Sequence, residues 1–145
     1  MLIKGSCHCR NICFALVWEP EPVEIPARAC TCSFCTKHGG VWTSHPSGSL
    51  QVQVRDPDGV SRYSFGTRTA VFHVCSRCGA VPVVTSEIEN RLYAVVSVNA
   101  FENVAKSLLR AGSVTFEEET ETARLARRKR GWIAEVQFVE TGRTP

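Results

Sequence analysis

Seven of the eight cysteines in this 145-residue chain fall into three tight clusters, and that grouping constrains the fold more than any other feature. The clusters are C-H-C at residues 7–9, C-T-C-S-F-C at 30–35 and C-S-R-C at 75–78. Thiols separated by a single residue close a small strained ring if oxidised to each other, whereas C-x-C and C-x-x-C on a tight turn both aim two sulfurs at one centre. Lys4, Gly5 and Ser6 interrupt the N-terminal apolar run, so no secretory leader is expected. Nor does any stretch approach the roughly eighteen apolar residues of a membrane span. The expected setting is cytoplasmic and reducing, where clustered thiols serve as metal ligands rather than disulfides.

Glycine or serine flanks each cluster: Gly5 and Ser6 before Cys7, Gly39 and Gly40 after Cys35, Gly79 after Cys78. Glycine permits the positive φ at which backbone N–H groups turn toward sulfur and stabilise its charge. The two pairs, Cys7 and Cys9 with Cys75 and Cys78, make the four ligands of a closed tetrahedral Zn²⁺ site that ties the N-terminal turn to the middle of the chain. Such a site contributes its binding free energy to folding. Cys30, Cys32 and Cys35 leave a second Zn²⁺ one ligand short. Either a protein ligand completes it, His38 being the nearest in sequence, or the position is open to water or substrate as in catalytic zinc. Two Zn²⁺ held by seven thiolates would cancel the formal charge of +3, so the basic balance is no argument for a nucleic-acid partner.

Most of the chain reads as short strands, at 12–18, 41–45, 50–55, 61–65, 70–75, 81–86, 91–98 and 132–140. Turn signals such as D-P-D-G at 56–59 and P-S-G-S at 46–49 separate several of them. The expectation is a mainly β fold of antiparallel sheets with few short helices, in a sandwich, barrel or folded-sheet architecture, as one domain over 1–145. Helix signals are confined to 33–39, 101–112 and 121–130. Cys13 reads as a small apolar strand residue, His73 as an ordinary strand residue, His8 as solvent-facing, and Trp18, Trp42 and Trp132 as core. The basic run at 124–130 follows the acidic run at 117–121 and reads as a solvated, internally compensated segment.

Together, G-S-C-H-C at 5–9, C-T-C-S-F-C-T-K-H-G-G at 30–40 and V-C-S-R-C-G-A at 74–80 resemble the signature segments of the glutathione-dependent formaldehyde-activating enzyme family, to which centromere protein V also belongs. The resemblance spans about residues 3–100. It implies a folded antiparallel architecture of the Mss4-like (β-tent) type with zinc knuckles and two Zn²⁺: a structural one on Cys7, Cys9, Cys75 and Cys78, and a catalytic one on Cys30, Cys32 and Cys35. It further implies a carbon–sulfur lyase that joins formaldehyde to glutathione as S-hydroxymethylglutathione. His38, Gly39 and Trp42, just downstream of the triple cluster, are the candidate substrate-binding residues. The chain departs from the family pattern at Arg10-Asn11, at Val74, at residues 97–103 and throughout the region after residue 100.

Three functional readings follow. In the first the chain is an enzyme whose open zinc handles a thiol and an aldehyde; in the second it is a non-catalytic binding module held together by two zincs. A third, nucleic-acid binding through Arg124 to Arg130, rests on one charge run.

Overall fold

A computed structural model describes residues 1–140; residues 141–145, the end of the domain expected over 1–145, lie outside the described residues. The described strands and helices are β1 (Leu2–Ser6), β2 (Ile12–Val17), β3 (Ile25–Cys30), α1 (Ser33–His38), β4 (Val41–Thr43), β5 (Ser49–Val54), β6 (Val60–Tyr63), β7 (Val71–Cys75), β8 (Val83–Ile88), β9 (Arg91–Ser97), β10 (Leu109–Val114), α2 (Glu121–Gly131) and β11 (Glu135–Glu140). The strands form a four-stranded sheet, in the order β1-β2-β5-β11, and a seven-stranded sheet, in the order β10-β3-β4-β9-β8-β7-β6. The fold is mainly β with few short helices, as the alternating pattern demanded.

Alternation sets which residues each strand buries. β2 turns Ile12, Phe14 and Leu16 inward, and β5 does the same with Leu50, Val52 and Val54. These pack with Ile25, Val83, Ala94, Val96 and Ile133 of the larger sheet and its C-terminal neighbour to form the main core. Each fully buried aliphatic side chain contributes about 1.5–3 kcal/mol of apolar burial. The alternate residues of β8 and β9, Val84 and Val95, join Trp42, Phe72 and Cys35 in a second core on the other face. Burial on both faces is why β9 reads as a nearly continuous apolar run and why even Thr85 and Ser86 of β8 are buried.

The structure corrects the sequence reading in three places. β1 and β3 carry weak strand signals, because Lys4 and Gly5 interrupt the first and Pro26 the second. Pro26 is tolerated since it lies opposite Arg110 of β10, while β4 reaches only Arg28 and Ala29. The helix expected over 101–112 is extended chain: a single 3₁₀ turn at Lys106–Leu108 leads into β10, which pairs in parallel with β3. Pairing to an open sheet edge outweighs the modest helix propensity of that segment. Most strand pairings are antiparallel as expected, but β10 with β3 and β11 with β5 are parallel. The long excursions before β10 and β11 supply the crossovers that parallel pairing needs.

Candidate metal centres and the cavity beside them

The knuckle after β1 and the turn after β7 meet beside the main core, in which Cys7 and Cys75 are buried. Cys7 N–H donates to the Ile12 carbonyl at 2.9 Å, and Ile12 N–H donates to Cys7 Sγ at 3.3 Å, so a two-way clasp holds this sulfur. Gly79, at φ +80, closes the second turn by donating its N–H to the Cys75 carbonyl at 2.8 Å. The buried side chain of Asn11 ties the first knuckle to the turn after β5, accepting from Asp56 N–H at 2.9 Å and donating to the Asp56 carbonyl at 3.0 Å.

The sulfurs of Cys7, Cys9, Cys75 and Cys78 lie within 4.8 Å of one another. Cys7 Sγ and Cys9 Sγ are 3.8 Å apart, and Cys9 Sγ and Cys75 Sγ 3.4 Å. A tetrahedral metal with sulfur at about 2.3 Å spaces its ligands at about 3.8 Å, so the donor set fits such an ion. Burial pushes the Cys7 thiol up to about 12. At Cys78 burial works in the same direction but is outweighed by the Ala80 and Cys9 N–H groups and neighbouring thiols, which bring it down to about 6. Only a cation would hold all four as thiolates at neutral pH.

The second group gathers around α1. Cys32 caps this helix, its Sγ accepting from Cys35 N–H at 3.3 Å, and the Gly40 N–H closes the C-terminus onto the Cys35 carbonyl at 2.9 Å. Cys30 arrives from the end of β3. Trp42, on β4, donates its indole N–H to Cys35 Sγ at 3.4 Å. These three sulfurs lie within 4.8 Å of one another, and among the described residues no fourth His, Cys, Asp or Glu atom joins them at that spacing. A hydrogen bond from Cys35 draws Cys30 down to about 5, and the same shared proton pushes Cys35 up. Both cysteine groups can therefore hold metal ions.

His38 packs on Phe34, with ring centroids 4.4 Å apart, and meets Trp42 edge-on at 6.0 Å, and its ring nitrogens do not join the three sulfurs at their spacing. Cys13 lies outside both groups, donating to the Arg10 carbonyl at 3.2 Å. His8 is exposed, His73 is buried against Thr85 Oγ1 at 2.8 Å, and His45 stacks on Trp18 at 4.8 Å.

The three sulfurs open onto a cavity of about 310 Å³. Phe65, Phe72, Val84, Val95, Trp42 and Trp132 supply apolar wall, and Arg28, Arg124, Arg127 and Arg128 supply charge. Of the candidate substrate-binding residues only Trp42 is in this lining. The arginines of α2 overturn the reading of the basic run as solvated. Arg128 is 7% exposed and donates to Thr69 Oγ1 at 2.8 Å and Ser86 Oγ at 3.2 Å. Internal compensation does hold for Arg124 and Arg127, both of which pair with Glu119. The missed signal was the spacing of positions 124, 127 and 128, which places them on one face of a helix capped by Thr120.

Comparison with known proteins follows the same lines. The family model described as glutathione-dependent formaldehyde-activating enzyme matches residues 2–119. A curated protein of Halomonas elongata, provisionally named a glutathione-dependent formaldehyde-activating enzyme, is 34% identical over 87 residues, covering 55% of this chain and 54% of that protein. The chain thus spans about half the length of that relative. The crystal structure of a Rhodobacter sphaeroides protein superposes with a TM-score of 0.57 at 27% identity, covering 77% of this chain and 99% of that one. No helix among the described residues is long and apolar enough to cross a membrane.

Proposed function

The chain belongs to the glutathione-dependent formaldehyde-activating enzyme family, and from that membership we propose that it is a zinc-dependent carbon–sulfur lyase that adds a thiol to an aldehyde carbon and releases it again. The observation that carries this reading is the convergence of three sulfurs, with no fourth side-chain donor at that spacing among the described residues, on the wall of a cavity. In this reading Cys7, Cys9, Cys75 and Cys78 hold a structural Zn²⁺, and Cys30, Cys32 and Cys35 hold a reactive one, within one domain working in the cytoplasm. Zinc held by the three thiolates supplies Lewis acidity and lowers the pKa of a thiol that reaches it.

The remaining work falls to the chain. In addition, a sulfur–carbon bond forms, the carbonyl π electrons move to oxygen, and oxygen takes up one proton while the thiol gives one up; lysis is the reverse. The indole N–H of Trp42 and the backbone N–H of Cys35 donate to Cys35 and Cys32 sulfurs, which tempers the negative charge these ligands carry into the site. Phe65, Phe72 and Trp132 give the cavity an apolar wall that competes poorly for charge, which strengthens polar contacts beside it. Glutathione and formaldehyde are the reactants that the family name suggests.

The addition also occurs without enzyme, so its catalysis is read as exchange. ¹³C-formaldehyde is mixed with excess thiol and the rate of interconversion between hydrate and thiol adduct is measured by exchange NMR. Protein carrying its metal is expected to raise that rate more than about tenfold over buffer, and Cys32→Ser to abolish the increase. Equal rates with wild type, Cys32→Ser and buffer would reject catalysis on these substrates and leave the second reading, a binding module stabilised by metal.

A further inference from the structure

The cavity is lined by four arginines but by one carboxylate, Glu117 at the exposed rim. Arg124 and Arg127 share Glu119, with Arg127 gripping it through two contacts of 2.9 and 3.0 Å and lying flat on Phe116 at 3.5 Å. Arg28 and Arg128 form no ion pair among the described residues. Arg28 uses one donor on Ser44 Oγ at 3.2 Å, and Ser44 in turn donates to the Gly131 carbonyl at 2.7 Å, which fixes the guanidinium against the end of α2. Arg128 is 7% exposed, and its Nε is buried without a hydrogen-bond partner. Counting Glu117, Glu119 and the single net negative charge of a divalent ion on three thiolates, the four guanidinium groups leave one positive charge uncompensated. A buried guanidinium with spare donors recruits a carboxylate, which its planar fork matches.

Beyond the three cysteines and the hydroxyls of Ser44, Thr67 and Thr69, two of which already accept from Arg28 and Arg128, the rest of the wall is mostly aromatic and aliphatic. It complements an apolar body and offers few partners to the ammonium, second carboxylate and two amides of a tripeptide thiol, which are costly to bury unpaired. We propose that the larger reactant at this site is an apolar, aryl-sized compound bearing a single carboxylate, with Arg28 as the residue that selects it. This rests on the reading of the cavity as the reactant site. Three of the four arginines stand on α2, beyond residue 119 where the family match ends, and Ser44 ties the fourth, Arg28 of β3, to the end of that helix.

The test is binding rather than turnover. Protein purified with its metal is titrated by calorimetry with 3-phenylpropanoate, with the uncharged 3-phenylpropanamide and with S-methylglutathione, none of which has a free thiol or an aldehyde. The acid is expected to bind saturably, the amide at least tenfold more weakly, and S-methylglutathione more weakly than the acid. Arg28→Gln should weaken the acid about tenfold without changing the amide, and Arg28→Lys should restore part of the loss. No saturable binding of the acid, an amide that binds as well as the acid, or S-methylglutathione binding most tightly would overturn the proposal. These last comparisons need only the wild-type chain, so a poorly folded variant does not blunt them. The same titration on Cys32→Ser separates this inference from the catalytic reading. Selective acid binding there, alongside absent exchange activity in the wild type, would keep the anion pocket and reject the lyase; exchange activity without acid selectivity would do the opposite.

Discussion

Arg10 sits at φ +67, a backbone conformation in which a side chain costs about 1 kcal/mol relative to glycine. The turn needs that conformation, since Arg10 N–H closes back onto the Cys7 carbonyl at 3.1 Å. The ion pair of Arg10 with Glu102 at 2.6 Å offsets part of the strain. Gly5 is the opposite case, a glycine required by space. A Cβ on it would collide with Cζ of buried Phe14 and lie 2.8 Å from the Ala100 carbonyl oxygen. Gly5→Ala is therefore expected to cost about 1–3 kcal/mol, seen as a drop of several degrees in thermal melting at unchanged metal content. A melting temperature equal to wild type would mean that the Phe14 ring yields freely.

At the scale of elements, α2 is the segment whose attachment matters most, because it roofs the cavity. Its N-terminus is capped by Thr120 Oγ1, which accepts from Ala123 N–H at 3.1 Å, and its basic face is pinned by Glu119. The two hydrogen bonds from Arg127, followed by the one from Arg124, hold the Glu119 carboxyl below the usual carboxylate range. A depressed folded pKa means that this contribution is fully present above the ordinary carboxylate value of about 4.3 and is lost as pH falls through the lower, folded one. Wild type should then exceed Glu119→Gln by about 1 kcal/mol at neutral pH, with the gap closing in acid. Melting curves of the two proteins from pH 7 downward check this, and a gap independent of pH would show that the carboxylate charge does not hold the helix.

Across the whole molecule the Cys7, Cys9, Cys75, Cys78 group joins segments 66 residues apart, as between Cys9 and Cys75, at the edge of the main core, in which Cys7 and Cys75 are buried. A metal bound there only in the folded state adds its binding free energy to stability, whereas the Cys30, Cys32, Cys35 group draws on residues close in sequence, at the end of β3 and in α1. Chelation under reducing conditions is expected to lower the melting temperature by more than about 10 °C. Cys75→Ser should lose the fold as well as the metal. Cys32→Ser, by contrast, should lose metal and keep most of the melting temperature. Metal content per chain and melting measured together decide the matter, and equal destabilisation by the two substitutions would refute the division of labour.

The cysteine grouping, the strand alternation of β2 and β5 and the single turn of α1 were legible in the sequence, because each depends on residues close together in the chain. Spacing alone aimed the thiols, and a period of two alone set the buried faces. The sequence by itself thus determined that the chain builds β-sheets around two thiol centres. What it could not show was which edges remain open to pairing: β10 became a strand because β3 offered it unpaired groups, not because 109–114 reads as one. Nor could it show that the run at 124–130 turns three arginines onto the cavity and strips water from one of them. Whether a charge is solvated depends on what packs over it, and that only the tertiary structure decides.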